Sequence, residues 1–172
     1  MMIFYCIYFF IIGAFIGWLL ECVFKTLAKH FERAPGILYS PFCVLYGIGT
    51  VILATIIPSL SSNILVQFLL SAVILTICEY ITYVLLDKMY GIHLWDYSDM
   101  TFALNEKVCI EFAMIWGALS VLFINYLLPV FSTAFLRVNG VIFYLTLLTI
   151  FAFIALDLLY TNEKLVHQKA RL

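Results

Sequence analysis

The chain has 172 residues, of which 66% are hydrophobic and 11% charged, and its mean hydropathy is +1.13. Soluble domains are roughly half apolar and a quarter charged, so this composition excludes an ordinary soluble domain and indicates an integral membrane protein. The net charge of −1 carries little information, because Lys and Arg are confined to the connections between apolar runs.

A bilayer core about 30 Å thick requires roughly 20 apolar residues at about 1.5 Å of rise each. Five segments meet this requirement, at 2–24, 42–60, 64–86, 109–131 and 138–160. The first lacks a basic leader and a small-residue cleavage site and is longer than a signal-peptide core, so it reads as a retained span. The second is the shortest and carries Pro58 near its end; Ser40-Pro41 predicts an N-cap followed by a first-turn proline, just after an Ala-Pro-Gly turn at 34–36. Asn105 with Glu106 predicts the opening of the fourth span. No segment shows the alternating pattern of a membrane barrel, and no linker or repeat divides the chain. The expectation is therefore an all-α polytopic bundle of five transmembrane helices forming a single domain, 1–172.

The connections alternate between long charged loops and short, nearly neutral ones. Lys25, Lys29, Arg33, Lys88, Lys107, Lys164, Lys169 and Arg171 fall on one side and Arg137 alone on the other. By the positive-inside rule the N-terminus is expected outside and the C-terminus in the cytoplasm. Orientation accounts for these basic residues, which are spread over three segments without interleaved aromatics, so no nucleic-acid partner is expected. The five cysteines, Cys6, Cys22, Cys43, Cys78 and Cys109, show no metal-ligand spacing, and neither a disulfide nor a metal is assigned.

Four acids interrupt the apolar spans, namely Glu21, Glu79, Glu111 and Asp157, each in the half of its helix that the topology places toward the cytoplasm. Glu21 is four residues from Lys25 and Glu111 four from Lys107, about 6 Å along a helix, so both also fit ordinary interfacial carboxylates. Glu79 is eight residues before Asp87, roughly 12 Å deep, and at that depth a carboxylate should face protein or a water-filled cavity. Asp157 is intermediate. Helical spacing puts Ser71, Ala72, Thr76, Glu79, Thr82 and Tyr83 on one stripe of the third span. Thr146, Thr149, Phe153 and Asp157 share a stripe on the fifth, and Glu111, Ala118 and Asn125 roughly align on the fourth. With no Lys or Arg inside any span, the acids would be neutralised by shared protons or by a cation from solvent or a loop. The predicted site is a cytoplasm-facing acidic pocket of Glu21, Glu79, Glu111 and Asp157. Tyr46, Trp95 and Tyr97 would supply its aromatic faces, and the loop Trp95, Asp96, Tyr97, Ser98 and Asp99 would cover it.

The loop WDYSD, the FALN that follows and the EFAMIWG opening of the fourth span, together with FIGWLLE, GILYSPFCVLYG and CEYITYVLLDKMYG, resemble the bacterial family of type IV ABC-transporter permeases, CmpB-like. The resemblance covers most of residues 10–120. It implies a multi-pass inner-membrane protein, a separate ATPase subunit, and motif residues Trp18, Glu21, Pro41, Tyr46, Gly47, Glu79, Trp95, Asp96, Tyr97 and Ser98. The chain departs from the family pattern at the second span, with Pro35, Ser40 and Val44 where Arg, Gly and Pro stand; Arg33 lies near the missing arginine.

The leading functional expectation is a transport or ligand-binding protein embedded in the bilayer and requiring no cofactor, and no catalytic residue is assigned. Two alternatives are a cytoplasmic-face membrane enzyme acting on a lipid or lipid-linked substrate through a Glu/Asp acid–base pair or an oxygen-ligated metal, kept open by His30, His93 and His167 on the cytoplasmic side although they form no H-E-x-x-H or histidine-box set, and a structural or regulatory subunit. No G-x-x-x-x-G-K-[ST] occurs, so nucleotide hydrolysis by a P-loop belongs to another chain. Gly13 and Gly17, four apart on one face, permit close approach of another helix and suit a homodimer.

Overall fold

The computed structural model describes residues 1–28, 36–138 and 140–169. The chain folds as α1 (Met2–Ala28), α2 (Val44–Leu60), α3 (Ile64–Tyr90), α4 (Ile110–Arg137) and α5 (Val141–Lys169). Among the described residues there is no strand, only an isolated bridge between Ala103 and Cys109. α1, α3, α4 and α5 are each long and apolar enough to cross a membrane, whereas α2, with 17 residues, sits at the lower limit of the required length.

Three local outcomes differ from the sequence expectation. The second helix begins at Val44, because Ser40 is engaged elsewhere and Pro41 lies in the bend before the helix. The fourth begins at Ile110; Asn105 makes an Asx turn instead, its Oδ1 accepting from the Lys107 N–H at 3.0 Å. Residues 34 and 35 of the Ala-Pro-Gly turn, and Arg33, lie outside the described residues. The fourth helix also runs six residues past the expected end, carrying a π turn at Phe123–Leu127. Pro129 supplies the physical reason for that turn: its ring crowds the carbonyl four residues back, that of Asn125, and widening the turn relieves the clash.

The chain resolves into two compact units, Met1–Val51 with Phe135–Leu172, and Ile52–Ala134. In the first, Ile7, Phe135 and Leu147 form a buried cluster walled by Phe4, Tyr5, Tyr8, Ile11, Phe143 and Tyr144. Tyr5 meets Phe135 edge-on at 5.4 Å between ring centroids, a geometry that sets the positive rim of one ring against the negative face of the other. α2 joins this unit by close backbone approach. A Cβ on Gly17 would lie 2.1 Å from Tyr46 Cγ, one on Gly13 2.0 Å from Thr50 Oγ1, and one on Gly47 2.8 Å from the Phe10 ring. The Gly13–Gly17 face is therefore occupied by α2 of the same chain.

The second unit is built on α3 packed against α4. α3 is capped at both ends. Asn63 Oδ1 accepts from the N–H groups of Leu65 and Val66, and Gly91, at φ +67°, closes the helix in the left-handed conformation that glycine adopts without steric cost. α4 comes close at Gly117, where a Cβ would stand 3.0 Å from the Phe68 carbonyl oxygen. Large apolar side chains point outward from every span, among them Ile142, Leu69 and Val130. In water such a surface would aggregate; in a bilayer it is solvated.

Candidate functional site

The four acids divide between the two units, and each has its own local partners. In the second unit Glu79 is 4% exposed. It accepts a 2.7 Å hydrogen bond from Tyr97 Oη on one oxygen and a 3.4 Å bond from Trp116 Nε1 on the other. The phenol of Tyr97 and the indole of Trp116 are neutral donors that fix the orientation of the carboxyl group. α3 buries Gln67, Ser71, Ala72, Glu79, Tyr83 and Leu86 on one side. The polar stripe expected on this helix is thus its packed face, with Gln67 as an additional member.

The segment between α3 and α4 folds back on itself. The Tyr97 N–H donates to the Glu106 carbonyl, the Leu104 N–H to Val108 and the Ile110 N–H to Phe102. Trp95 Nε1 donates to the Lys107 carbonyl at 2.9 Å, and its ring meets Tyr83 edge-on. Asp96 accepts from both the Ser98 hydroxyl, at 2.6 Å, and the Ser98 N–H, at 2.9 Å. These bonds, the hydroxyl's first, hold the fully exposed Asp96 carboxyl below its ordinary pKa. Asp99 is exposed on the following turn. The turn orients the chain so that the next side chain, Tyr97, is buried against Phe112 and reaches Glu79. Lys107 lies 5.7 Å from the Tyr83 ring centroid, within cation–π range. Glu111 accepts from the Phe102 N–H at 3.1 Å through one oxygen, while its other oxygen is buried without a hydrogen-bond partner.

In the first unit Glu21 accepts from Tyr46 Oη at 3.0 Å, a bond between two residues of the expected site. The Lys25 side chain, its expected neighbour, lies outside the described set. Asp157 holds the bend before α2: one oxygen accepts from the Ser40 N–H at 2.8 Å and from the Ser40 hydroxyl, the other from the Tyr39 N–H and the Thr161 hydroxyl at 3.4 Å each. Lys164 adds cation–π contacts to Tyr39 and Tyr160 at 5.0 and 4.9 Å.

Sequence reasoning missed Trp116 and Gln67 as site residues. Both carried a signal, since a Trp N–H and a Gln amide inside lipid each require a polar partner. Gln67 accepts from Asn125 Nδ2 at 3.0 Å and donates to the Ser61 carbonyl at 3.0 Å.

Four long apolar helices with a buried carboxyl group define a multi-pass membrane protein whose apolar spans fit membrane transport. The family model described as "Putative ABC-transporter type IV" matches residues 8–162, and the chain belongs to that family. Comparison with curated proteins and with solved structures gave no match.

Proposed function

We propose that this chain is a transport or ligand-binding subunit, the permease of an ABC system, in which Glu79 binds a proton or a cationic or polar substrate. The observation that carries this reading is the Glu79 carboxyl: buried in α3, and held by Tyr97 from the loop and Trp116 from α4. Burial deep in a span makes a carboxyl expensive to keep unless it has a function there. A carboxyl held by groups from two other segments can gain and lose a proton or meet an incoming cation as those segments move. The loop 91–109 covers Glu79 from the end of α3, and movement of Tyr97 would open access. Within the same unit Glu111, Trp95, Asp96, Ser98 and Asp99 support this group, while Glu21, Tyr46 and Asp157 serve the other unit. On this reading the chain is one transmembrane domain of the bacterial inner membrane, with its N-terminus outside and its C-terminus in the cytoplasm. ATP hydrolysis then belongs to a partner subunit, consistent with the family and with the absence of a P-loop.

The test is Glu79→Cys in a background with the five native cysteines replaced, reconstituted in vesicles and treated with a charged, membrane-impermeant thiol reagent. Labelling from the face that carries the Tyr97 loop is expected. Absence of labelling from both faces would refute an accessible site.

A further inference from the structure

The loop 91–109 turns inward the residues best suited to a bilayer border. Trp and Tyr gather at membrane–water boundaries, yet here Trp95 bonds the Lys107 carbonyl and Tyr97 reaches Glu79. What the loop presents outward instead is Phe102 and Leu104, 60% and 63% exposed. Every other exposed side chain of the loop is polar.

Backbone bonds fix where this apolar pair stands. Ala103 bridges Cys109, the Leu104 N–H donates to the Val108 carbonyl at 3.0 Å, and the Ile110 N–H donates to the Phe102 carbonyl at 3.2 Å, so 102–110 forms a short antiparallel hairpin. Its returning arm is core, with Val108 and Cys109 buried. On the other arm Phe102 and Leu104, two residues apart, share the side away from Ala103. The Phe102 N–H also donates to Glu111 at 3.1 Å, which ties the hairpin to the first turn of α4.

The length of α4 gives that turn a depth. Its 28 residues make a helix about 42 Å long, which matches a bilayer with its headgroups, about 40–45 Å, rather than a hydrocarbon core of about 30 Å. Ile110 and Glu111 therefore lie at headgroup depth, with Phe102 beside them. Ile110 and Met114 are exposed apolar residues of the same helix, so the hairpin pair adjoins the lipid-facing surface of α4. A protein partner fits poorly here. Two side chains offer at most a few hundred Å², against about 800 Å² on each side of a stable protein interface.

We propose that the Phe102–Leu104 face is docked in the bilayer, with both side chains entering the boundary between headgroups and acyl chains on the side of the membrane that carries the loop. The docked hairpin presents the carbonyls of Glu106 and Lys107, which receive the Tyr97 N–H and the Trp95 indole. The bilayer thus holds the segment that places Tyr97 on Glu79. This inference stands on the hairpin geometry, independently of what Glu79 binds.

The experiment uses the full chain with its five native cysteines replaced, in phosphatidylethanolamine–phosphatidylglycerol vesicles. Phe102→Cys carries a nitrobenzoxadiazole dye, and Asp99→Cys, on the exposed polar turn, is the control. The dye at 102 should emit further to the blue, and lipids brominated on their acyl chains should quench it several-fold more than the dye at 99. Iodide on both sides of the vesicles should quench it several-fold less. In a second arm, Phe102→Ser with Leu104→Ser, folded by circular dichroism, should exchange the Tyr97 amide with deuterium about tenfold faster than wild type, the equivalent of about 1.4 kcal/mol of lost apolar contact. Equal iodide quenching at the two positions, or no quenching by bromolipid at 102, would overturn the docking and leave the pair to a soluble partner. Unchanged Tyr97 exchange in the double variant would overturn the hold on Tyr97. Either result leaves the labelling test of position 79 to be judged on its own.

Discussion

Replacing Gly17 by alanine distinguishes a glycine used for packing from one facing lipid, because the two cases differ in sign. At an open helical position alanine is favoured over glycine by about 1 kcal/mol through the entropy glycine loses on folding. At Gly17 the new methyl would stand 2.1 Å from Tyr46 Cγ and 2.2 Å from Tyr46 Cβ. These atoms are rooted at the α2 backbone, so rotating the ring cannot clear them and the two helices must separate. Overpacking of this kind costs about 1–3 kcal/mol, and separation also stretches the 3.0 Å bond from Tyr46 to Glu21, worth about another 1 kcal/mol. Set against the propensity gain, a net loss of about 1–3 kcal/mol is expected. Reversible unfolding of the purified protein in mixed SDS and mild-detergent micelles, followed by circular dichroism, measures it. Gly140→Ala is the control, since a Cβ there meets nothing within 4 Å, and it should be neutral or stabilising. A neutral or stabilising Gly17→Ala would refute the α1–α2 packing described above. A loss that varied with protein concentration would assign the glycines to a contact between copies.

Asp157→Asn should release the bend before α2. The Tyr39 and Ser40 amides lose a charged acceptor worth about 1.5–3 kcal/mol and should exchange with deuterium about tenfold faster or more. Asn63→Ala removes the side-chain cap of α3 and should cost about 1 kcal/mol in the same micelle assay, with Asn63→Ser recovering most of it. The Asp96 turn should respond to acid. Its carboxyl pKa is lowered in the fold, so its contribution is fully present above the unfolded value of about 3.9 and is lost as the pH falls through the lowered folded value. Protection of the Ser98 amide should follow that curve, and Asp96→Asn should abolish the dependence.

What the sequence made legible followed from rules with a single answer. Four helices had to be long and apolar to span a bilayer, and Glu79, about 12 Å from the nearest loop charge, had to face protein. Tyr97 was visible as a loop aromatic, but its contact with Glu79 depends on how 91–109 folds back on itself, which no periodicity encodes. Ser40 carried a genuine capping signal that lost to a long-range partner: Asp157, 117 residues away, offers it a charged acceptor. The glycine pair was correctly read as a close helix contact, but composition cannot say which helix arrives. Pro129 inside the fourth span is compatible with a regular or an irregular helix, since lipid-embedded helices tolerate proline when the freed backbone groups find other partners, so the residue alone does not announce the π turn.

The π turn has a consequence for how α4 tolerates insertions and deletions. One residue more than an α turn is stored at Phe123–Leu127, within the turn that carries the buried Ile124 and the Asn125 that bonds Gln67. Removing a single residue there would let the segment relax to α geometry with the helix beyond kept close to its present phase, whereas the same deletion in a regular α turn would rotate everything beyond by about 100°. Leu128, now buried, would stay so after the first deletion and turn away from the protein after the second. The irregularity acts as a phase shifter: it lets proline be accommodated in mid-span while keeping the amide of Asn125 and the side chain of Leu128 directed at protein. A one-residue deletion is therefore better tolerated here than in the regular turns of α4.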